Sequence, residues 1–171
     1  MKTNIKLFLL CISLLLSYVT YAQNNTNASA SNVDLTLLTG LGKHNGDTQI
    51  TFGINAAILK AVSKTLSFGI GTGYLCNIDY GVEGASSQTD SYIPIFARVK
   101  FKTPLSHKSN FVFDCDGGCA IGDNAHALIS PQTGFDFKLK KSKTSIATKL
   151  MYNNIIGVNS GIWGIAVSLS L

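Results

Sequence analysis

Charge is scarce in this chain. Asp, Glu, Lys and Arg together make up 13% of its 171 residues, about half the share found in an ordinary soluble domain. A water-facing surface is not readily built from so few. Also missing is any apolar run long enough to cross a bilayer as a helix. The most apolar stretch, Leu7 to Leu16, falls short of the about 20 residues that such a span needs. No segment carries the apolar stripe of a helix, and no basic stripe marks a nucleic-acid partner. The histidines His44, His107 and His126 fall at no metal spacing, and no cofactor motif is present. Gly69-x-Gly71-x-Gly73 lies in an extended segment with no helix after it, which excludes a nucleotide loop. Asp114-Cys115-Asp116-Gly117-Gly118 opens like a calcium loop, but Gly118 stands at the third ligand position and no Glu closes it.

The N-terminus has Lys2 and Lys6, then the apolar run, then Ser17 to Ala22. This is the order of a secretory signal peptide, residues 1–22, with cleavage expected after Ala22. Its removal takes away two of the 14 basic residues and none of the 9 acids, so the net charge of +5 falls to +3. Residues 23–32 are Asn, Thr, Ala and Ser with one Gln, and read as a flexible tether. Three cysteines follow, Cys76, Cys115 and Cys119. An odd number excludes a complete disulfide framework. Cys115 and Cys119 lie about 13 Å apart on an extended strand, too far to pair with each other.

What the chain has in abundance is alternation. From Ser91 to Ile121, odd positions carry Ile93, Ile95, Val99, Phe101, Phe111, Phe113 and Ile121, while even positions carry Arg98, Lys100, Lys102, Asp114 and Asp116. A period of two with a polar turn between the arms predicts a β-hairpin. Six further alternating segments are legible at 34–42, 49–60, 65–77, 128–140, 143–153 and 161–171, making eight. Several exceed the usual soluble strand of about 5–6 residues and match a tilted membrane strand of about 9–11. The connections are expected to alternate, short turns on one rim and longer loops on the other, with residues 78–90 the longest.

The two faces differ in kind. One carries Ile50, Phe52, Ile54, Leu66, Phe68, Ile70, Phe135, Phe137, Trp163, Ile165 and Val167. The other carries Gly, Ser and Ala on the third and eighth segments, where a solvent face would carry lysine and glutamate. Small residues suit the narrow interior of an eight-stranded barrel. The expected fold is therefore all-β: an eight-stranded antiparallel up-and-down transmembrane β-barrel over residues 33–171, apolar face to lipid.

The segments Leu59 to Tyr74 and Tyr92-Ile93-Pro94-Ile95-Phe96-Ala97-Arg98 resemble the small outer-membrane β-barrel domains of Bacteroidetes-type bacteria, related in shape to OmpA- and OmpX-type barrels. The resemblance implies a monomeric barrel in the bacterial outer membrane, its partners being outer-membrane lipid and, during biogenesis, the barrel-assembly machinery. The chain departs from that pattern in its three cysteines and in ending on Leu171 rather than an aromatic residue.

Three groups of candidate site residues follow. Arg98, Lys100, Asp114, Asp116, Asp136 and Lys138 are expected to form an ion-pair cluster inside the barrel, because a charge in a low-dielectric tube must be paired. A turn centred near Ser106 would set Arg98 opposite Asp114. Aromatics are expected in two girdles, Phe52, Tyr74, Tyr152 and Trp163 at the outer rim and Phe68, Phe101, Phe111 and Phe137 at the inner rim. The loop with Asp79, Tyr80, Glu83 and Asp90 is expected outside, carrying any contact with an unknown surface partner. The function expected is structural or surface-interacting, with a plugged lumen and no wide pore, and not enzymatic. Two alternatives are a lipid A-modifying enzyme, whose His and Ser would be imitated by His126 and Ser130 without a carboxylate to orient the His, and a secreted soluble β-sandwich that binds a ligand.

Overall fold

A computed structural model describes residues 31–44, 47–80, 88–139, 144–158 and 161–171. They form eight strands: β1 (Ser31–His44), β2 (Asp47–Ala61), β3 (Leu66–Tyr80), β4 (Gln88–Pro104), β5 (Ser109–Ile121), β6 (Ala125–Lys138), β7 (Ser145–Ile155) and β8 (Ile162–Ser170). Each pairs antiparallel with the next. β1 also pairs with β8, from Asp34↔Ser170 to Gly42↔Ile162, so the sheet closes into a barrel. A closed sheet has no edge to protect, and it excludes the two-sheet sandwich. The ladder skips residues around Pro94, between Thr72↔Ile95 and Leu75↔Tyr92, and around Pro131, between Ile129↔Asn154 and Gln132↔Met151. Proline has no N–H to give.

The strands run further than the alternation of apolar side chains. Ser31 and Asn32, assigned to the tether by composition, pair with Lys60 and Leu59. Both ends of the expected 78–90 loop are ladder as well: Ile78 faces Thr89 and Asp79 faces Gln88, leaving 81–87 as the connection. The expected division into short and long connections fails. Residues 45–46 and 122–124 on one rim are no longer than 62–65 and 105–108 on the other. Pairing is made by the backbone, so a strand continues through polar residues such as Lys43 and Thr48, which face each other. The signal peptide, the tether up to residue 30 and Glu83 lie outside the described residues.

With an even number of strands, the start of β1 and the end of β8 share a rim, here the terminal rim, and 45–46, 81–87, 122–124 and 156–161 join strands at the distal rim. Between them the barrel wall is inverted relative to a soluble protein. Its outside presents Phe52, Ile54, Phe68, Ile95, Ile129 and Leu150, with Ile70 71% and Trp163 70% exposed. Arg98, Asp34, Asp114, Asp116, Asp136 and Lys149 are buried on the inside.

Candidate functional site in the barrel interior

Charge enters the interior on β4 and β5, where Arg98, Lys100 and Lys102 alternate with Ala97, Val99 and Phe101, and Asp114 and Asp116 with Phe113, Cys115 and Gly117. The observed register sets Arg98 opposite Asp116 and Lys100 opposite Asp114. The hairpin is centred one residue later than the sequence pattern suggested, which moves each partner two positions along without changing its face. Arg98 grips Asp116 in a fork, Nε donating to Oδ1 at 2.6 Å and Nη2 to Oδ2 at 2.7 Å. Bidentate geometry of this kind is among the stronger hydrogen-bonded pairings.

The remaining pairs cross the barrel. Lys100 Nζ donates to Asp34 Oδ2 at 2.6 Å and to Ser170 Oγ at 3.2 Å. Since β4 borders neither β1 nor β8, these bonds span the interior. Arg98 Nη1 lies 3.8 Å from the same Asp34 oxygen. Lys149 of β7 takes Asp114. Gln132 of β6 links the two pairs, donating Nε2 to Asp116 at 3.3 Å while its Oε1 accepts from Lys149 at 3.3 Å. Nearer the terminal rim, Lys102 pairs with Asp136, which also accepts from Asn110 Nδ2 at 3.0 Å. Four acids thus meet four bases. Burying a charge without a partner costs several kcal/mol, and the matching avoids that here.

Five of the six expected cluster residues belong to this network. Lys138 does not: it is exposed at the end of β6, and Lys102 fills the place expected of it beside Asp136. Asp34 and Lys149 were not foreseen. Lys149 had a signal, for it shares its parity with the inward-facing Ala147 and Met151.

Beyond the charges the interior turns apolar. Leu38, Leu75, Tyr92, Ala120, Leu128, Met151, Ile155, Val158 and Ala166 pack together toward the distal rim. Phe96 stands at the boundary, with the Arg98 guanidinium 5.2 Å from its ring centre, within cation–π reach. A Cβ at Gly71 would lie 2.5 Å from that ring. The glycine makes room for an aromatic on the adjoining strand. At the distal end, Gln49 Nε2 donates to Asp79 Oδ1 and Thr51 Oγ1 to Asn77 Oδ1, each at 2.6 Å. Asp79 and Asp90 sit on strands rather than in a loop, and Tyr80 is exposed at the end of β3.

The residues expected in the girdles lie on the outer face. On the distal half Trp163 meets Tyr152 with ring centres 4.9 Å apart, Phe52 is exposed, and the Tyr74 hydroxyl lies 2.6 Å from Ser91 Oγ. On the terminal half Phe68, Phe101 and Phe137 are exposed, and Phe111 meets Phe135 edge-on at 6.3 Å. Cys76, Cys115 and Cys119 are free thiols, half-buried on the wall. His126 stacks edge-on with Tyr92. Ser130 is four residues along the same strand, about 13 Å away by strand rise, beyond the hydrogen-bond reach that a nucleophile and its base require. Among the described residues no cluster of His, Cys, Asp and Glu could hold a metal ion.

No family model matches the chain, and no curated protein matches its sequence. Among solved structures it is similar to the crystal structure of neisserial surface protein A (NspA), with a TM-score of 0.54 at 12% identity, covering 82% of this chain and 92% of that one. The comparison also returns a structure from the de novo design of transmembrane β-barrels, at TM-score 0.43 and 13% identity over 81% of this chain and 92% of that one. A third is the translocator domain of the autotransporter NalP from Neisseria meningitidis, at TM-score 0.39 and 9% identity over 93% and 95%. At these identities the likeness to NspA is one of fold.

Proposed function

We propose that the chain is an integral barrel of the bacterial outer membrane with a structural or surface-interaction role, its lumen closed by ion pairs and without catalytic activity. The observation that carries this reading is the inverted wall. Removing one large apolar side chain from water gains about 1.5–3 kcal/mol, and the barrel presents a continuous belt of them while burying Arg98, Lys149 and their acids. Lipid is the solvent that suits such a surface. The Tyr and Trp rings on the distal half and the Phe rings on the terminal half then serve as interfacial girdles. The terminal rim faces the periplasm, and the 81–87 connection faces outward, where an unknown surface partner would meet it.

The test is fractionation with heat-modified electrophoresis, combined with planar-bilayer recording. The expected result is a detergent-extracted protein in the outer-membrane fraction whose band shifts on boiling and which carries no sustained current. A protein released by osmotic shock without detergent would refute membrane residence, and a steady open conductance would refute the plug. An epitope inserted after Ser86 is expected to be stained on unpermeabilised cells. Staining only after the outer membrane is opened would reverse the proposed topology.

A further inference from the structure

Charge outside the barrel interior is divided between the two rims. Among the described residues the terminal rim carries Lys60 at the end of β2, Lys64 in the turn to β3, Lys108 in the turn between β4 and β5, and Lys138 at the end of β6, all exposed. None of the four takes a carboxylate, for the described ion pairs use only Arg98, Lys100, Lys102 and Lys149. The acids on that side, Asp34 and Asp136, are buried and held by Lys100 and Lys102. The sequence between β6 and β7 adds lysines and no acid, so nothing there opposes the sign of the four. At the distal rim the balance is reversed, with Lys43 set against Asp47, Asp79, Asp90 and Asp123. One rim is basic and the other acidic.

The lysines of the terminal rim adjoin the phenylalanines of the outer wall. Lys60 follows the buried Leu59, so it faces outward, and it pairs across the ladder with Phe68. Lys138 follows Phe137, and its N–H donates to the Lys108 carbonyl at 2.9 Å. Phe137 in turn faces Ser109, the residue after Lys108. Phe68 and Phe137 are themselves exposed. A lysine stem can lie along such a ring while its ammonium reaches the polar layer beyond. From β2 to β6 the rim thus sets apolar rings below and unpaired positive charge above, the order of layers in a lipid leaflet.

We propose that the terminal rim is a docking surface for anionic phospholipid headgroups, so that the barrel gathers such lipids in the leaflet on that side and not in the other. The proposal rests on the membrane reading above. Lysines beside an anionic leaflet are attracted to it, and several within a Debye length act together. The acids of the distal rim repel the same headgroups. A lipid fits better than a soluble polyanion, because Lys60 and Lys138 extend the wall that carries Phe68 and Phe137.

The test is electron spin resonance of the full barrel reconstituted in phosphatidylcholine bilayers, with spin-labelled phosphatidylglycerol or spin-labelled phosphatidylcholine as the probe. Both probes are expected to show a motionally restricted component, with phosphatidylglycerol favoured by about twofold or more at low salt. High salt should bring the two probes to parity. The joint change Lys60→Gln, Lys64→Gln, Lys108→Gln and Lys138→Gln should remove at least half of the preference, and Arg at the same four positions should keep it. Lys43→Gln at the distal rim is the control and should leave it unchanged. The band shift on boiling verifies that each variant is folded. A restricted component without headgroup preference would overturn the proposal and leave the membrane reading standing. No restricted component with either probe would overturn both. A preference that resists salt, or that survives in full in the four-lysine Gln variant, would also overturn the proposal, as would an equal loss in Lys43→Gln. Polyglutamate sedimenting with the barrel in phosphatidylcholine bilayers, through the same four lysines and with the lipid probes at parity, would assign the rim to a soluble polyanion instead.

Discussion

The two halves of the barrel interior are built on the same alternation and filled in opposite ways. Toward the terminal rim the inward positions are Asp34, Arg98, Lys100, Asp114, Asp116, Asp136 and Lys149. Toward the distal rim they are mostly apolar, Leu38, Leu75, Leu128, Met151 and Ile155, with the uncharged Gln49, Thr51 and Asn77 at the far end. Dispersion contacts hold the apolar half, and any side chain of suitable volume satisfies them. The charged half is held by pairings that work only between particular residues. The apolar half therefore contributes bulk stability, and the charged half specifies which strands face one another across the tube.

Breaking one partner of the charged half is expected to have the largest effect. Arg98→Met leaves Asp116 buried without its counter-ion, at a cost of about 3–5 kcal/mol, read as a lower temperature for the heat-induced band shift. Arg98→Met with Asp116→Leu should recover part of that loss, and strictly additive losses would show that the pair is not coupled. In the apolar half, Leu75→Ala removes a side chain that is 1% exposed and should cost about 2–4 kcal/mol. Leu75→Met should cost under about 1.5 kcal/mol, a tolerance the charged half does not share. If Leu75→Met were as damaging as Leu75→Ala, the contrast would fail.

Gly71→Ala probes the boundary. The added methyl would press on the Phe96 ring and should cost about 1–3 kcal/mol. Phe96→Leu in the same chain is expected to relieve part of it, measured by the same band shift, since the added methyl also meets the Ala56 carbonyl oxygen at 2.6 Å. The smallest effect should come from Lys138→Gln. This lysine lies outside the network, so stability should move by no more than about 0.5 kcal/mol. A larger drop would mean that Lys138 shares Asp136 with Lys102.

Alternation, strand number and the facing of each strand are local properties, and they were legible. Phe68, Ile70 and Trp163 lie outward and Arg98 and Asp116 inward, as their parity indicates. Strand ends were not legible, because Ile78 to Tyr80 and Gln88 to Asp90 continue a ladder that needs no apolar side chain. Register was legible to within one step of the hairpin centre, enough to place Arg98 among acids but not to choose between Asp114 and Asp116. The cross-barrel partners were out of reach. Nothing near Lys100 in the sequence points to Asp34, since their meeting depends on how strands tilt and shift around the closed tube. The family suggested by the Leu59 to Tyr74 hairpin is matched by no family model, for a pattern of small and apolar residues describes a wall and not a lineage.

The bond from Lys100 to Asp34 joins residues 66 apart, and the Thr36 and Ser168 hydroxyls, 2.8 Å apart, are separated by 132. Contacts so distant along the chain form late, because the loop entropy they cost must be met before they return anything. Until β1 reaches β8, Asp34 and Lys100 stand in an open trough where water still solvates them. An unclosed sheet therefore has a wettable concave side and little tendency to collapse on itself. Closure removes that water and commits the charges to one another in a single event. A circular permutant that fuses β8 to β1 and opens the chain at 81–87 would shorten the closing loop, and faster appearance of the folded band is the signature of this order of events.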